Sequence, residues 1–410
     1  PKGHSIQKLV QVAVIGAGLS GLLVSHELKK LGLSPVVFEK EPEIPSKTLI
    51  LPLFDEVRAL AKELSVEIFP LKEQRRCIYK DGRLLSFRAS VFSLLTSGIF
   101  SLSELFSILK EPFIKPIKDD ESVANFVKRR FDSKILESFV EPLILELCLG
   151  DVESLSLKFA VRRVYEIEKT SSSVVKGVLG GNLKLPELGF SKDGGLIKSL
   201  LRGLSVKFEN VVLRVRKKDG EFILEAKDGK HKFSSVVVCT PAWASAYMLR
   251  DLSWSACEVL ESVFYAPFVL VRATLKLGIP CHSVLFPSSS GFRIKRISVS
   301  DFEDGVIYLG GAKEGEILDL SDNEIITLLK SELLRIFGAN EIKILAIERY
   351  KRAIPQFNLG YDKVLEIVSA LESENPGLFI GSRFVFGPSI LDSIAGAKEI
   401  AKRVFAYLNK

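Results

Sequence analysis

The sequence has few cysteines and histidines, and none of them is spaced for a metal site. The four histidines pair neither with each other nor with cysteines, and no C-x-x-C motif is present. The cysteines are odd in number and far apart, which predicts buried free thiols in a reducing compartment rather than a disulfide framework. We therefore expect no bound metal. The five cysteines are Cys77, Cys148, Cys239, Cys257 and Cys281.

Long uninterrupted apolar runs are also absent. The most membrane-like stretch, residues 89–109, contains Ser, Thr and Gly throughout and the charged Glu104, so it is a poor candidate for a helix that spans a bilayer. The same stretch is apolar enough to lie on a membrane surface. We expect a cytoplasmic protein, and peripheral attachment to a membrane stays open as an alternative.

Positive charge is in excess, but it is not clustered as nucleic-acid binding requires. The chain has 57 Lys and Arg against 50 Asp and Glu, a net charge of +7 and a pI of about 9.0. This balance suits an acidic partner, which can be nucleic acid, an anionic membrane surface or a polycarboxylate substrate. No Lys/Arg run interleaves with aromatic residues, so we expect no nucleic-acid partner.

The first forty residues contain a complete strand–turn–helix–strand pattern. Residues 11–15 are a short apolar strand, residues 16–21 read GAGLSG, residues 22–31 have helical spacing, and residues 35–39 form a second strand that ends in Glu39. The three glycines allow the tight turn, the approach of a pyrophosphate and close packing of the helix on the strand. An acid at the end of the second strand accepts hydrogen bonds from ribose hydroxyls. The pattern predicts a dinucleotide site but does not choose between FAD and NAD.

The rest of the 410-residue chain is long enough for two or three domains. Residues 76–87 predict a β-hairpin, residues 94–168 are mainly helical, and the Ser/Gly-rich stretch 170–181 predicts a loop. A final strand at residues 378–381 feeds a helix at 390–408. This late strand indicates that the cofactor domain is assembled from distant pieces of chain.

Several segments, taken in order, resemble the protoporphyrinogen oxidase family within the flavin amine-oxidase superfamily. The likeness runs from about residue 8 to the end of the chain, and the order of the motifs is more specific than any one of them. The segments are DESVANFVKRRF at residues 120–131, Glu141-Pro142, LGDVESLSL at 149–157, AIPQFNLGY at 353–361, and Gly381, Gly387 and Asp392-Ser393-Ile394.

The resemblance implies a non-covalently bound FAD and the oxidation of a porphyrinogen, protoporphyrinogen IX or coproporphyrinogen III, to the porphyrin in heme biosynthesis. Hydride passes from a methylene bridge to the flavin, and oxygen is the usual acceptor. The implied fold is α/β: a Rossmann-like FAD domain from residues 1–75, 185–245 and 370–410, a helical and membrane-docking domain at 76–184, and a β-sheet substrate domain at 246–369. A homodimer stays open.

The resemblance also implies roles for individual residues. Arg76 matches an arginine that pairs with a substrate propionate, and Gly150 matches a glycine beside the porphyrinogen; a surface arginine and a helix C-cap are the alternatives. Val212 lies on a strand whose backbone contacts adenine, and strand core is the alternative for its side chain. No catalytic side chain is implied, because the flavin takes the hydride. The cofactor residues are Gly16, Gly18, Leu19, Ser20, Gly21, Glu39, Lys40, Val212, Gly381, and Ser389 and Ile390 at the start of the last helix.

The chain departs from the family pattern after Glu39. Family members carry a Gly-Gly pair and a longer stretch there, whereas residues 41–48 lead directly into a helix predicted at 51–64. Ala397 replaces a usual glycine, and Ser382 is also atypical. Either a loop is absent from the sequence or the flavin site is truncated.

Two other functions therefore remain beside a porphyrinogen oxidase. One is a superfamily oxidase that acts on an amine or a carotenoid precursor. The other is a non-catalytic homologue that binds flavin or porphyrin.

Overall fold

A computed structural model describes residues 12–44, 49–181, 186–191, 194–275, 279, 281–299, 304–338 and 342–410. Gln11, predicted as the first residue of a strand, and residues 45–48 of the segment after Glu39 lie outside these ranges. The chain divides into two compact units. Unit 1 comprises residues 1–68, 190–263 and 360–410, and unit 2 comprises residues 69–189 and 264–359.

Unit 1 contains strands and helices from all three of its segments. Its strands are β1 (Val12–Ile15), β2 (Val36–Phe38), β3 (Leu49–Pro52), β8 (Ser205–Lys207), β9 (Val212–Lys218), β10 (Glu221–Ala226), β11 (Gly229–Phe233), β12 (Ser235–Val238) and β18 (Leu378–Ile380). Its helices are α1 (Leu19–Lys30), α2 (Asp55–Glu63), α11 (Gly195–Leu201), α12 (Ala242–Leu249), α13 (Trp254–Glu261), α15 (Asp362–Glu374), α16 (Arg383–Phe386) and α17 (Ile390–Leu408).

A parallel sheet in the order β18-β12-β1-β2-β8 forms the centre of unit 1. Its inner strands β1 and β12 are buried along their whole length, which explains why they are continuous apolar runs rather than alternating ones. β18 pairs in parallel with β12. The strand predicted near residue 380 therefore joins the sheet that contains residues 12–15, and the Rossmann-like fold is assembled from distant segments as predicted.

Unit 2 combines a large sheet with a group of helices. Its strands are β4 (Phe69–Pro70), β5 (Arg76–Lys80), β6 (Arg83–Phe87), β13 (Tyr265–Leu275), β14 (Ser283–Leu285), β15 (Ile294–Val299), β16 (Asp304–Gly310) and β17 (Ile342–Pro355); β7 (Leu188–Ser191) crosses the boundary of the units. Its helices are α3 (Val91–Leu95), α4 (Leu102–Lys110), α5 (Val123–Arg130), α6 (Ser133–Ile135), α7 (Glu141–Cys148), α8 (Leu157–Ala160), α9 (Arg162–Ser171), α10 (Val174–Leu179) and α14 (Asp322–Phe337).

The seven-stranded sheet of unit 2 has the order β17-β13-β16-β15-β14-β5-β6. The hairpin β5–β6 closes through Asp81 and Gly82, which both have positive φ angles, 49° and 77°. A two-residue turn with this backbone matches the twist of the two strands. The hairpin predicted at residues 76–87 is confirmed, and β14 pairs in parallel with β5 on its other side.

A buried ion-pair network organises the helices of unit 2. The fully buried Arg130 at the end of α5 pairs with Glu111 and with Glu168 on α9. Glu111 also accepts hydrogen bonds from the hydroxyl of Ser173 and from two backbone N–H groups at the start of α10. The prediction of a loop at 170–181 was therefore wrong, because a carboxylate 62 residues earlier caps a helix there.

The division of unit 2 into separate domains stays a prediction. The helical segment and the large sheet fall into one compact unit, and residues 246–263, predicted to belong with the sheet, fall into unit 1.

Two of the cysteines correct the expectation of free thiols. Cys77 on β5 and Cys281 just before β14 form a disulfide, although 204 residues separate them. The parallel pairing of β14 with β5, with Val284 opposite Cys77, brings the two side chains together. The other three, Cys148, Cys239 and Cys257, are free and buried.

The apolar stretch at residues 89–109 forms two short helices, α3 and α4, and not one continuous helix. Within the described residues, no helix is long and apolar enough to cross a membrane. Several large apolar side chains of these helices and of the turn after α4 are nevertheless exposed. The most exposed are Phe92 (78%), Leu102 (86%), Phe106 (59%), Leu109 (70%) and Phe113 (87%).

Candidate cofactor and substrate sites

The glycine loop of unit 1 lets α1 approach β1 closely. Gly16 has a φ of +98° and donates its N–H to the carbonyl of Phe38 on β2 at 2.8 Å. A Cβ at Gly21 would lie 1.9 Å from the carbonyl oxygen of Gly16, so no other residue fits there without moving the helix. α1 begins at Leu19, inside the motif and three residues earlier than predicted.

The N-terminus of α1 is free to receive an anion. Gly18 is the N-cap residue, no side chain caps the helix, and its first turn contains no acidic residue. The first N–H groups of a helix, here those of Leu19, Ser20 and Gly21, have no acceptor within the helix. Gly18 is exposed, and a Cβ there would meet nothing within 4 Å. These features suit a pyrophosphate, which needs donors and close access to the backbone.

Glu39 lies beside this loop at the end of β2. Its Oε2 accepts a hydrogen bond from the N–H of Ala17 at 2.7 Å, and its Oε1 accepts one from the N–H of Glu41 at 3.0 Å. Each carboxylate oxygen has a second lone pair, so the group can still accept ribose hydroxyls. Lys40 is exposed, and its ammonium pairs with Glu41 at 3.0 Å.

Val212, predicted to contact adenine, is brought near Glu39 by backbone hydrogen bonds. The backbone N–H of Glu39 donates to the carbonyl of Lys207, and the backbone N–H of Asn210 donates to the carbonyl of Glu39 at 2.8 Å. Val212 follows as the buried first residue of β9. The glycine loop, the acid and this strand are therefore gathered at one edge of unit 1.

The C-terminal cofactor residues are also in unit 1. Gly381 follows β18, donates its N–H to Val238 at 2.9 Å, and has no room for a Cβ, which would lie 2.9 Å from Val237. Ser389 caps α17 in a capping box with Asp392, and Ile390 is the first residue of that helix. Because the carboxylate of Asp392 already occupies this N-terminus, any contribution of the helix dipole to a reduced flavin is partly offset.

The predicted substrate residues lie in unit 2. Arg76 begins β5, is only 6% exposed, and donates from Nε to Glu146 on α7 at 3.1 Å. Within the described residues its guanidinium makes no other hydrogen bond. The alternative of a surface arginine was therefore wrong, and Glu146 is a partner that the sequence did not indicate, because it lies 70 residues away.

Gly150 is buried, and packing explains why a glycine is needed there. A Cβ would lie 2.5 Å from Leu155 and 2.7 Å from Oε1 of Gln356. The C-cap of α7 is Leu149, with a φ of +50°, so the alternative reading of Gly150 as the cap was wrong. Gly150 lines a cavity of about 10 Å³, which is room for about one water molecule.

A larger cavity of about 530 Å³ lies at the far end of the same hairpin in unit 2. Its volume falls in the range of small-molecule sites, but neither Arg76 nor Gly150 lines it. It therefore does not coincide with the predicted substrate residues. Its lining consists of Tyr79, Lys80, Asp81, Ser101, Glu104, Lys134, Glu137, Ser138, Pro287, Ser289 and Ser290.

Comparison with known proteins gives two family matches. A model of flavin containing amine oxidoreductases matches residues 48–364, which is most of the chain, and a model of NAD(P)-binding Rossmann-like domains matches residues 14–46. The second match covers the glycine loop and Glu39.

Individual relatives are similar along nearly the whole chain. Protoporphyrinogen oxidase 2, chloroplastic/mitochondrial, of Arabidopsis thaliana is 24% identical over 479 aligned positions, which cover 97% of this chain and 94% of the relative. Coproporphyrinogen III oxidase of Bacillus subtilis (strain 168) is 26% identical over 373 positions, with 80% and 77% coverage. A crystal structure of an Exiguobacterium sp. 255-15 protein superposes with a TM-score of 0.78 at 14% identity and covers 98% of this chain and 99% of its own, which shows the fold.

Gly18 and Gly21 offer a matched pair of variants for the cofactor site. Gly21→Ala should lower the melting temperature of the flavin-free protein, because its Cβ would collide with Gly16. At Gly18 the added methyl group has open space, so the melting temperature should not change. The same methyl group would hinder the approach of the pyrophosphate to the backbone, so FAD affinity should fall by about tenfold or more, or about 1.4 kcal/mol. Differential scanning calorimetry measures the melting temperature, and calorimetric titration with FAD measures the affinity. Wild-type affinity in Gly18→Ala would contradict a pyrophosphate at this loop.

Proposed function

The chain belongs to the flavin containing amine oxidoreductase family and is an FAD-dependent oxidoreductase, and from this premise we propose that it oxidises a porphyrinogen to the porphyrin, as a step of heme biosynthesis. The substrate is protoporphyrinogen IX or coproporphyrinogen III. The observation that carries the proposal is the buried cation Arg76 on β5, since both substrates carry propionate groups. The motif order and the names of the aligned relatives support the same substrate class.

In this proposal the chain's own residues bind and orient the cofactor and the substrate. FAD would supply the acceptor for the hydride of a methylene bridge. The glycine loop and α1 hold the pyrophosphate, Glu39 accepts the ribose hydroxyls, and the backbone at Val212 contacts adenine. Gly381, Ser389 and Ile390 line the flavin end. Oxygen is the proposed final electron acceptor.

Arg76 would bind a substrate propionate in unit 2. A guanidinium suits a carboxylate because it offers two parallel N–H donors. Nε is engaged by Glu146 at 3.1 Å, and the two terminal nitrogens remain as donors. Gly150 would lie beside the macrocycle, separated from it by little more than the space of one water molecule.

Two measurements separate this proposal from the alternatives. The purified protein is expected to be yellow, and anaerobic mixing with each porphyrinogen should bleach the flavin as the macrocycle is oxidised. A yellow protein that is bleached by an amine but by neither porphyrinogen would favour another oxidase of the superfamily. A protein that binds flavin or porphyrin without bleaching would favour the non-catalytic function.

Replacement of Arg76 tests the substrate site. Arg76→Ala should raise KM for the porphyrinogen by about thirtyfold or more, equivalent to about 2 kcal/mol, because it removes one partner of a desolvated charge pair. The flavin spectrum should not change. Arg76→Lys should recover only part of the loss, since an ammonium lacks the two-pronged geometry.

The neighbouring Arg75 provides the control for this experiment. It pairs with Glu73 at 2.7 Å and is about one third exposed, so Arg75→Ala should leave KM within about twofold of wild type. If Arg76→Ala and Arg75→Ala behave alike, the assignment of Arg76 is wrong.

We also propose that α3, α4 and the turn after them dock on an anionic membrane surface. Five large apolar side chains there are more than half exposed, and basic residues lie among them in the sequence. Lys110 has its Nζ 4.3 Å from the centre of the Phe106 ring, and Arg83, Arg88 and Lys115 are exposed nearby in sequence. Apolar side chains with flanking basic groups are typical of helices that lie in the plane of a bilayer surface.

Vesicle flotation tests this docking. The wild-type protein should float with vesicles that contain phosphatidylserine at low salt, and the triple change Phe92→Ser, Phe106→Ser and Phe113→Ser should abolish flotation. Trp254→Ser is the control, because Trp254 is 67% exposed but lies on α13 of unit 1. Binding of wild type and triple variant to the same extent would argue against the proposed surface.

A further inference from the structure

His282 is a buried histidine beside the Arg76–Glu146 pair, and the roles assigned above do not use it. It lies one residue before β14, and its backbone N–H donates to the carbonyl of Arg75 at 3.0 Å. Only 4% of the residue is exposed. Within the described residues, neither Nδ1 nor Nε2 of its ring has a hydrogen-bond partner. A buried polar group without a partner is costly, so the site is arranged for something more than the chain alone provides.

Three charged side chains act on the His282 ring. They are Arg76 on β5, Glu146 on α7, and Glu73 in the segment before β5. Burial, and then the positive charge of Arg76, lower the pKa of His282 to about 4, while Glu146, the backbone of Arg75 and Glu73 offset part of the effect. At neutral pH the ring is therefore uncharged, and the charges of Arg76 and Glu146 cancel.

A substrate carboxylate would upset this balance. Arg76 would then face two carboxylates, that of Glu146 and that of the substrate, and the cluster would carry one uncompensated negative charge in a largely buried place. Such a charge is costly unless another cation joins it. Among the described groups that act on this cluster, His282 is the uncharged one whose ordinary titration range lies closest to neutral pH.

We propose that His282 takes up a proton from water when a substrate carboxylate binds at Arg76, so that the carboxylate is held by both the guanidinium and the imidazolium. This inference rests on the proposed function, because it requires a propionate at Arg76. His282 is thus a positioning residue for the substrate and takes no part in hydride transfer. The free ring nitrogens are the donors that the bound anion would engage.

Proton uptake on binding fixes the direction in which the affinity for the anion changes with pH. Binding of an anion raises the pKa of His282 from its low value in the free protein, so the complex holds more protons than the separate partners between the two pKa values. Within that window affinity must fall as pH rises, by up to about tenfold per pH unit for one proton. Propionates are almost fully ionised above about pH 6, so their own titration adds little there. The part of the dependence that His282→Gln removes is the part that belongs to His282.

Coproporphyrin III, a stable oxidised tetracarboxylate, is the probe. Its Kd for the FAD-loaded protein is measured between about pH 6 and pH 8. Wild type should bind about tenfold or more weakly at the upper end, and His282→Gln should show a Kd independent of pH. The control His231→Gln should keep the wild-type dependence, because His231 is paired with Asp228 in unit 1.

Direct measurement of proton uptake covers the case in which His282→Gln does not fold. Calorimetric titration of wild type in two buffers of different ionisation enthalpy should reveal uptake of up to one proton. Glu146→Gln should bind the probe more tightly and without uptake, because only one carboxylate then faces Arg76. The tetramethyl ester of the probe, which lacks carboxylates, should cause no uptake.

The outcomes separate the two proposals. A pH dependence that survives in His282→Gln, or no proton uptake by wild type when the probe binds, would overturn the role of His282 and leave the porphyrinogen oxidase proposal intact. Failure of the probe to bind at any pH, together with no flavin bleaching by either porphyrinogen, would overturn both.

Discussion

The cofactor site depends on one steric constraint, the contact of Gly21 on α1 with the carbonyl of Gly16. A Cβ at Gly21 would lie 1.9 Å from that oxygen. The lack of a side chain at Gly21 therefore sets how closely the helix packs on β1. This packing aims the uncapped N-terminus of α1 at the edge of the parallel sheet. Glu39 then fastens the same loop by accepting the N–H of Ala17, so one carboxylate both shapes the loop and presents acceptors to a ribose.

The predicted substrate site of unit 2 contains a cluster of buried polar and charged side chains. Arg76, Glu146 and His282 are largely buried, and they come from a strand, a helix and the residue before a second strand. Parallel pairing of β14 with β5 holds two of these elements in register, and the disulfide of Cys77 with Cys281 joins the same two segments. These links hold the segments that carry Arg76 and His282 next to each other, which is why protonation of His282 is the proposed way to balance a new anion.

The sequence predicted those features that a short stretch of chain encodes. The glycine loop, the Asp81-Gly82 hairpin, α17 and α2, which begins at Asp55 rather than at residue 51, follow from local patterns, and the structure contains each of them. It did not predict the helix α10, whose N-terminus is capped by the distant Glu111. Nor did it indicate the disulfide or Glu146, which depend on pairings across 204 and 70 residues. No local periodicity reports such contacts, because they exist only once the sheet has formed.

This difference has a consequence for how specificity can vary in the family. The glycines that would hold the dinucleotide are fixed by backbone geometry, since Gly21 and Gly381 have no room for a side chain and Gly16 has a positive φ. Arg76 is paired by charge with Glu146, which comes from a different element of unit 2. The motif for FAD is therefore readable at 24% identity, whereas a sequence pattern does not display the buried charges around Arg76. A neutral His282 beside a paired Arg76 would favour ligands with an ionised carboxylate, because binding of that anion raises the pKa of the imidazole and a proton is taken up from water.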